Sequence, residues 1–441
     1  MPQIILNRIV KICFAISLVA CTSFLPTGAT QFFLHKNAAE TINAPKPKKG
    51  DVFFENLFKN NPGLFDSILI NKHKWNVQII YTQINRGKNG YAKLKNFYFN
   101  KDSGTYFYPA STVKLPIVLL ALQKLNELRV KGLNINSSMI TDAAYNGQVQ
   151  TFNDPNTFDG RPAIAQYIKR ILLVSDNEAF NRLYEFLGQQ YINDELHKKG
   201  FTDAQILHRL DVFLSEDENR HTNPISFLDS ATSKLLFQQP MKYNTEKYEK
   251  RSDSLGQSFF SQGKLFSYPM DFSKKNRISL QDLHTILTGL IFPEAVKASQ
   301  RFNITEADRK FVLKYMSSFP SESVYPYYDS SYTDNYAKFI LWHGNQDSAS
   351  KSIRVFDKSG DAYGQMIDVA YVADFQKNIE FMVSAEIYCN EDGIINDDKY
   401  DYKTIGIPFM QNLGEALYRY ELKRKKEIIP DLSSLKFKYD R

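Results

Sequence analysis

The chain predicts a mixed α/β (α+β) fold, in which one antiparallel sheet is built from both ends of the chain and packs on an all-helical lobe. Three observations predict it. Strand-like alternation rich in Val, Ile and Tyr occupies residues 75–85 and 94–100. A long block with helical patterning follows, from Ser111 to about residue 340. Strand patterns then resume at 353–358, 365–373 and 379–388, before a last helix over about 404–425. Strands that enclose a helical block from both sides must meet for the sheet to close, which leaves a cleft between sheet and lobe.

The elements follow in order. Beyond Ser111, the run Leu115-Pro116-Ile117-Val118-Leu119-Leu120-Ala121-Leu122 is apolar without interruption, as in a helix buried on all sides. Further helices are predicted over 162–173, 178–187, 280–290 and 306–317, the last with Thr305 and Asp308 placed to cap its start. Residues 238–276 are polar and aromatic, with little periodicity and with Tyr243, Tyr248, Phe259, Phe260, Phe266 and Tyr268. They read as the body of an insertion over about 226–276, which either shapes the cleft entrance or packs as surface decoration.

Three short motifs carry the chemistry: Ser111-Thr112-Val113-Lys114, Ser175-Asp176-Asn177 and Lys358-Ser359-Gly360. Ser-x-x-Lys alone is weak, because it recurs at Ser261/Lys264, Ser348/Lys351 and Ser433/Lys436. Only Ser111 opens a long apolar helix, whose positive dipole end favours a developing oxyanion. A serine hydroxyl needs a base to become a nucleophile. Lys114, three residues on, lies on the same helical face, and loses its proton only through burial or a neighbouring cation such as Lys358. Ser175 can bridge the two lysines and pass a proton to a leaving nitrogen. Asn177 offers an amide to a peptide-like arm, Lys358 and Ser359 suit a substrate carboxylate, and the N–H groups of Ser111 and Asp361, after Gly360, can form an oxyanion hole.

This ordered set resembles the serine β-lactamase and penicillin-binding protein superfamily, in its class A-like form. Residues from about 70 to 425 share the resemblance, including Asn219-Arg220-His221-Thr222-Asn223-Pro224 as a variant end of the family's Ω-loop. It implies a serine hydrolase acylated at Ser111 by a β-lactam or related amide. The alternative is a penicillin-binding or D-Ala-D-Ala peptidase acting on cell-wall peptides, or another amidase or esterase, with slow β-lactam release. A binding protein without turnover fits poorly with an intact motif set. One departure stands out. Class A enzymes place an Ω-loop glutamate to activate the deacylating water. With Arg209-Leu210-Asp211 read as the start of that loop, the position falls near Leu214. Glu216 and Glu218 are nearby candidate bases, although a solvated acidic turn is the favoured reading of that stretch.

The N-terminus predicts export. Arg8 and Lys11 precede an apolar stretch over 12–20 that is too short to span a bilayer. Leu18-Val19-Ala20-Cys21 resembles a bacterial lipobox, with Cys21 as lipid acceptor, so residues 1–21 read as a signal, 22–50 as a tether and 51–441 as the hydrolase domain. The alternative is a secretory signal cleaved slightly later. The lipobox places the protein at the periplasmic face of a bacterial membrane, held only by its anchor. Of three cysteines, Cys13 lies in the signal and Cys389 is left alone, so no disulfide is expected in the mature chain. The formal charge of +7 drops to +5 without Arg8 and Lys11, and the dense run Lys423-Arg424-Lys425-Lys426 suits a helix end better than a nucleic-acid site. The seven histidines lack metal-ligand spacing, so neither metal nor cofactor is expected, and a monomer is.

Overall fold

The structure, a computed structural model, describes residues 51–71, 74–340 and 352–441. The signal, lipobox and tether expected over residues 1–50 lie outside them. A five-stranded antiparallel sheet organises the domain, in the order Ile353–Ala362, Gln365–Asp374, Ile379–Tyr388, Gln78–Arg86, Ala92–Phe99. The sheet is therefore closed by a pair from opposite ends of the chain, with Gln78 opposite Glu386 and Gln83 opposite Phe381.

Its central strands are buried on both faces. All ten residues of Gln365–Asp374 are buried, which explains their near-continuous apolar sequence. Alternate side chains enter two cores. Val355, Ala370, Val372 and Val383 pack with Phe54 and Phe58 of the helix Asp51–Lys59 and with Met410, Leu413 and Leu417 of the helix Ile407–Lys423. Phe356, Ile367, Val369 and Met382 face the helical lobe. At the centre of that lobe, helix Lys114–Leu128 buries every residue from Leu115 to Leu122.

Most helix and strand bounds match the sequence-based expectations closely. Glu306–Ser317 and Ile379–Tyr388 have the expected ends, and Thr305 forms a capping box with Asp308. The expected helical block fails at 225–271, which forms short strands instead. Ile225–Leu228 lies between Ser138–Thr141 and Leu235–Gln239, and Ser258–Ser261 pairs with Lys264–Phe266 and, in parallel, with Ile394–Ile395. Strands of two to five residues carry too little alternation to be read from sequence.

The inserted segment also lies along the loop that precedes Pro224. Thr222 N donates to Lys242 O (2.9 Å) and Asn244 N to Arg220 O (3.0 Å). At the loop's other end, the fully buried Asn276 accepts from Leu207 N (2.7 Å) and His208 N (3.1 Å). Among the described residues, no helix is long and apolar enough to cross a membrane, and no cluster of His, Cys, Asp or Glu could hold a metal ion.

Candidate active site

The three motifs meet where the nucleophile helix abuts the edge strand of the sheet. Ser111 sits in a tight turn, Ala110–Val113, that runs directly into helix Lys114–Leu128. Gly360 on the edge strand packs against this turn so closely that a Cβ there would stand 2.4 Å from Ser111 N. The second motif occupies a bend between helices. Ile164–Val174 ends at Ser175 in a left-handed conformation (φ 60°), and Asp176 caps the next helix by accepting from Ala179 N at 2.8 Å. Arg170 fixes that bend by donating to Asp176 (2.9 Å), Glu178 (2.6 Å) and Asp154 (3.3 Å). Asp176 is thus a structural member of its motif.

Side chains from all three motifs form one hydrogen-bonded cluster. Lys114 Nζ lies 2.8 Å from Ser111 Oγ, 2.6 Å from Asn177 Oδ1 and 3.2 Å from Ser175 Oγ, and also reaches Ser175 O. Lys358 Nζ approaches the same Ser175 Oγ at 2.9 Å from the other side. Burial and the charge of Lys358 hold the Lys114 ammonium well below its ordinary pKa, against the opposing pull of Asp176, Asp361 and Asp211. A lysine so placed can be neutral and accept the Ser111 proton. Burial lowers Lys358 to about 8, while Asp357 and Asp368 favour its charged form. Asp357 is itself paired with Lys338 at 2.7 Å, and burial together with Asp357 pushes Asp368 well above the carboxylate range.

The match to known families decides the lineage. Residues 65–420 match the family model described as the β-lactamase enzyme family. The chain belongs to that family. It is a serine hydrolase with the family's α/β architecture. Similar solved structures include a β-lactamase from Sphaerobacter thermophilus (12% identity, 81% of this chain and 94% of that one, TM-score 0.43). A class A β-lactamase from Clostridium kluyveri (14%, 83% and 98%, 0.44) and a PBP-A variant solved as an acyl-enzyme with penicillin G (14%, 83% and 96%, 0.43) are also similar. No curated protein matches the sequence.

Within this family member, the loop before Pro224 departs from the expected alignment. Arg209 is buried against Glu185 (3.0 Å) and donates to the carbonyls of Glu218 and His221, closing the loop on itself. Asn181 grips Leu210 through both its backbone N–H (2.8 Å) and its carbonyl (2.9 Å). The next residue, Asp211, takes a left-handed φ of 53° and accepts from Asn177 Nδ2 at 3.4 Å. The loop carboxylate beside the cluster is therefore Asp211, three positions before the expected Leu214, which packs over Gly147 instead. The sequence did offer one signal for it, an arginine two residues before a carboxylate.

Glu216 and Glu218 stand in other interactions. Glu216 is paired with Lys274 at 2.7 Å and Arg220 at 3.6 Å. Glu218 closes a capping box with Ser215 (2.6 Å) and accepts from Asn146 (2.7 Å). Ser359 and Lys358 are likewise engaged. Ser359 Oγ donates to Ala337 O at 2.6 Å, Lys358 Nζ donates to Ser359 O at 2.6 Å, and both side chains are buried.

Proposed function

We propose that the protein is a class A-like serine acyl-transfer enzyme, acylated at Ser111 by a β-lactam or a related amide and freed by hydrolysis. In this reading, neutral Lys114 takes the Ser111 proton as Oγ attacks the carbonyl carbon. The oxyanion is met by the N–H groups of Ser111 and Asp361. Ser175 gives its proton to the leaving nitrogen as the C–N bond breaks, and is reprotonated from the lysine side. Water then attacks the ester, Asp211 accepts its proton, and Ser111 Oγ leaves and is reprotonated by that proton, which returns Asp211 and the neutral Lys114 to their starting states.

The observation that carries the reading is the chain Ser111 Oγ, Lys114 Nζ, Ser175 Oγ, Lys358 Nζ, with successive separations of 2.8, 3.2 and 2.9 Å. Such a relay links nucleophile, base and proton donor, and each positioned proton transfer is worth roughly 100- to 10,000-fold in rate. The test is intact mass with a penicillin, followed by mapping of the adduct. One acyl equivalent on the peptide containing Ser111 supports the reading, and an adduct elsewhere removes it.

Cell-wall peptides or other amides and esters are the second substrate class, favoured by Leu214 at the position expected for the Ω-loop glutamate. We further propose export to the periplasmic face of a bacterial membrane through a lipid on Cys21, from the Leu18-to-Cys21 sequence. Labelled fatty acid should enter the full-length chain in a bacterium and be lost in Cys21→Ser. A soluble product starting beyond Cys21 excludes the anchor.

A further inference from the structure

We propose that the corner where helix Ile407–Lys423 ends against the outer edge strand Ala92–Phe99 docks on an anionic lipid bilayer, and holds the domain with its catalytic edge turned away from that bilayer. The sequence leads one to expect membrane contact through the lipid anchor alone, and the fold adds a second contact that does not depend on the reading of Ser111.

The corner gathers cations from distant parts of the chain. A groove of about 310 Å³ lies between the helix end and the strands, lined by Arg86, Lys93, Arg424, Lys425 and Lys426, with Glu427 as its one acid. Three of these cations have partners. Arg86 donates to Glu380 (2.6 Å), Arg424 donates to Glu421 (2.9 Å), and Lys426 lies 3.3 Å from the same Glu421. Lys93 and Lys425 are exposed and form no ion pair with a described residue. The same holds for Lys95, two residues along the strand, and for Lys423 at the helix end. Four lysines against Glu427 leave the outward charge of the corner positive. Apolar side chains are exposed in the same stretch, Leu422 by 42% and Ile429 by 71%. Cations interleaved with exposed aliphatic groups suit a bilayer surface, where phosphates border the acyl chains.

The chain also enters the domain at this corner. Phe53, near the start of helix Asp51–Lys59, packs on Phe97 of the edge strand (ring centroids 4.5 Å apart) and on Tyr420 (5.1 Å), one turn before Lys423. Lys95 lies over the Phe97 ring at 4.9 Å. The stretch expected as a tether, with Lys46, Lys48 and Lys49 near its end, therefore joins the domain beside the four lysines. The strand that carries Lys358 and Gly360 is the opposite edge of the sheet, four strand spacings or about 19 Å away.

Sedimentation with vesicles tests the proposal, using the unlipidated chain from residue 22 onward. At low salt it should partition to mixed phosphatidylglycerol and phosphatidylcholine vesicles at least about tenfold better than to phosphatidylcholine alone, and high salt should remove the preference. A lysine near an anionic surface is worth about fivefold in partition. Combining Lys93→Gln, Lys95→Gln, Lys423→Gln and Lys425→Gln should therefore cost at least about tenfold, with the circular dichroism unchanged. Lys46→Gln, Lys48→Gln and Lys49→Gln together should leave a preference for phosphatidylglycerol. Equal partition to both vesicles, a preference carried wholly by the tether lysines, or retention on RNA without vesicle binding overturns the proposal. Orientation is read with an environment-sensitive dye on Leu422→Cys, which should shift to the blue on anionic vesicles. The same dye on Tyr336→Cys should not shift, because Tyr336 is exposed next to Ala337, whose carbonyl accepts from Ser359 Oγ (2.6 Å) on the catalytic edge. The reverse pattern overturns the orientation, and the dye pair decides alone if the four-lysine variant does not fold. None of these outcomes bears on the assignment of Ser111.

Discussion

Gly360 and Ser111 are in backbone contact: a Cβ on the glycine would meet Ser111 N at 2.4 Å and Ser111 Cα at 3.0 Å. The contact sets the gap between the edge strand and the nucleophile turn. Backbone cannot give way as a flexible side chain can, so a methyl here must move one element away from the other. Gly360→Ala should fold and still lose acylation by about 100-fold, the scale expected for an ångström-sized displacement of reacting groups. Near wild-type labelling by a fluorescent penicillin would contradict the tight-gap argument.

Removing members of the relay should give graded losses. Ser111→Ala abolishes covalent labelling with the fold intact by circular dichroism. Lys114→Ala and Ser175→Ala slow it by about 100-fold or more, as loss of a positioned base or proton donor does. Persistent label on Ser111→Ala means that another residue is the nucleophile.

Deacylation distinguishes the loop carboxylates. If Asp211 takes the proton from water, Asp211→Asn should acylate normally and hold its adduct at least about 100-fold longer by time-resolved mass. Glu216→Gln and Glu218→Gln should release it at the wild-type rate, since these carboxylates are tied to Lys274 and Ser215. A trapped adduct in either Gln variant would reassign the base.

The acylation rate should depend on pH through both lysines. Lys114 must be neutral, a condition met above its lowered pKa and lost on acidification. Lys358 must be charged to support the relay, and loses its proton as pH rises through about 8. The profile should therefore fall on the alkaline side near that value. A rate flat from pH 7 to 10 shows that the charge on Lys358 is not required.

Two buried histidines predict acid sensitivity. Burial lowers both His208 and His284 to about 4, from an ordinary value of about 6.5. The unfolded chain then binds more protons than the folded one between those values, so stability falls as pH drops from about 6.5 to 4. Each site contributes at most roughly 3 kcal/mol to that loss. His284 sits between Thr82 Oγ1 (2.8 Å) and Ser384 Oγ (2.7 Å). His284→Gln should flatten the dependence of Tm on pH, and an unchanged slope would remove His284 from the account.

Legibility in the sequence followed from how locally each feature is determined. Helix Glu306–Ser317 is announced by its own cap and strand Ile379–Tyr388 by its own residues, so both have their expected ends. The motif residues were legible because a fixed spacing carries their chemistry. Asp211 was not, because the register of its loop is set at a distance, by Arg209 on Glu185 and by Asn181 on Leu210. The strands of 225–271 were hidden for the same reason, as their partners include Ser138–Thr141 and Ile394–Ile395.

The pairing of Gln78–Arg86 with Ile379–Tyr388 also governs timing. About 300 residues separate the partners, so an emerging chain holds its first two strands as an isolated hairpin while the whole lobe is synthesised. The nucleophile turn exists early, but the strand bearing Lys358 and Gly360 is made only after the lobe, and its place in the sheet waits for Ile379–Tyr388, so no competent site can precede that strand. Folding should thus be a late, concerted event with a high contact order, and chains truncated before Ile379 should collect as protease-sensitive species.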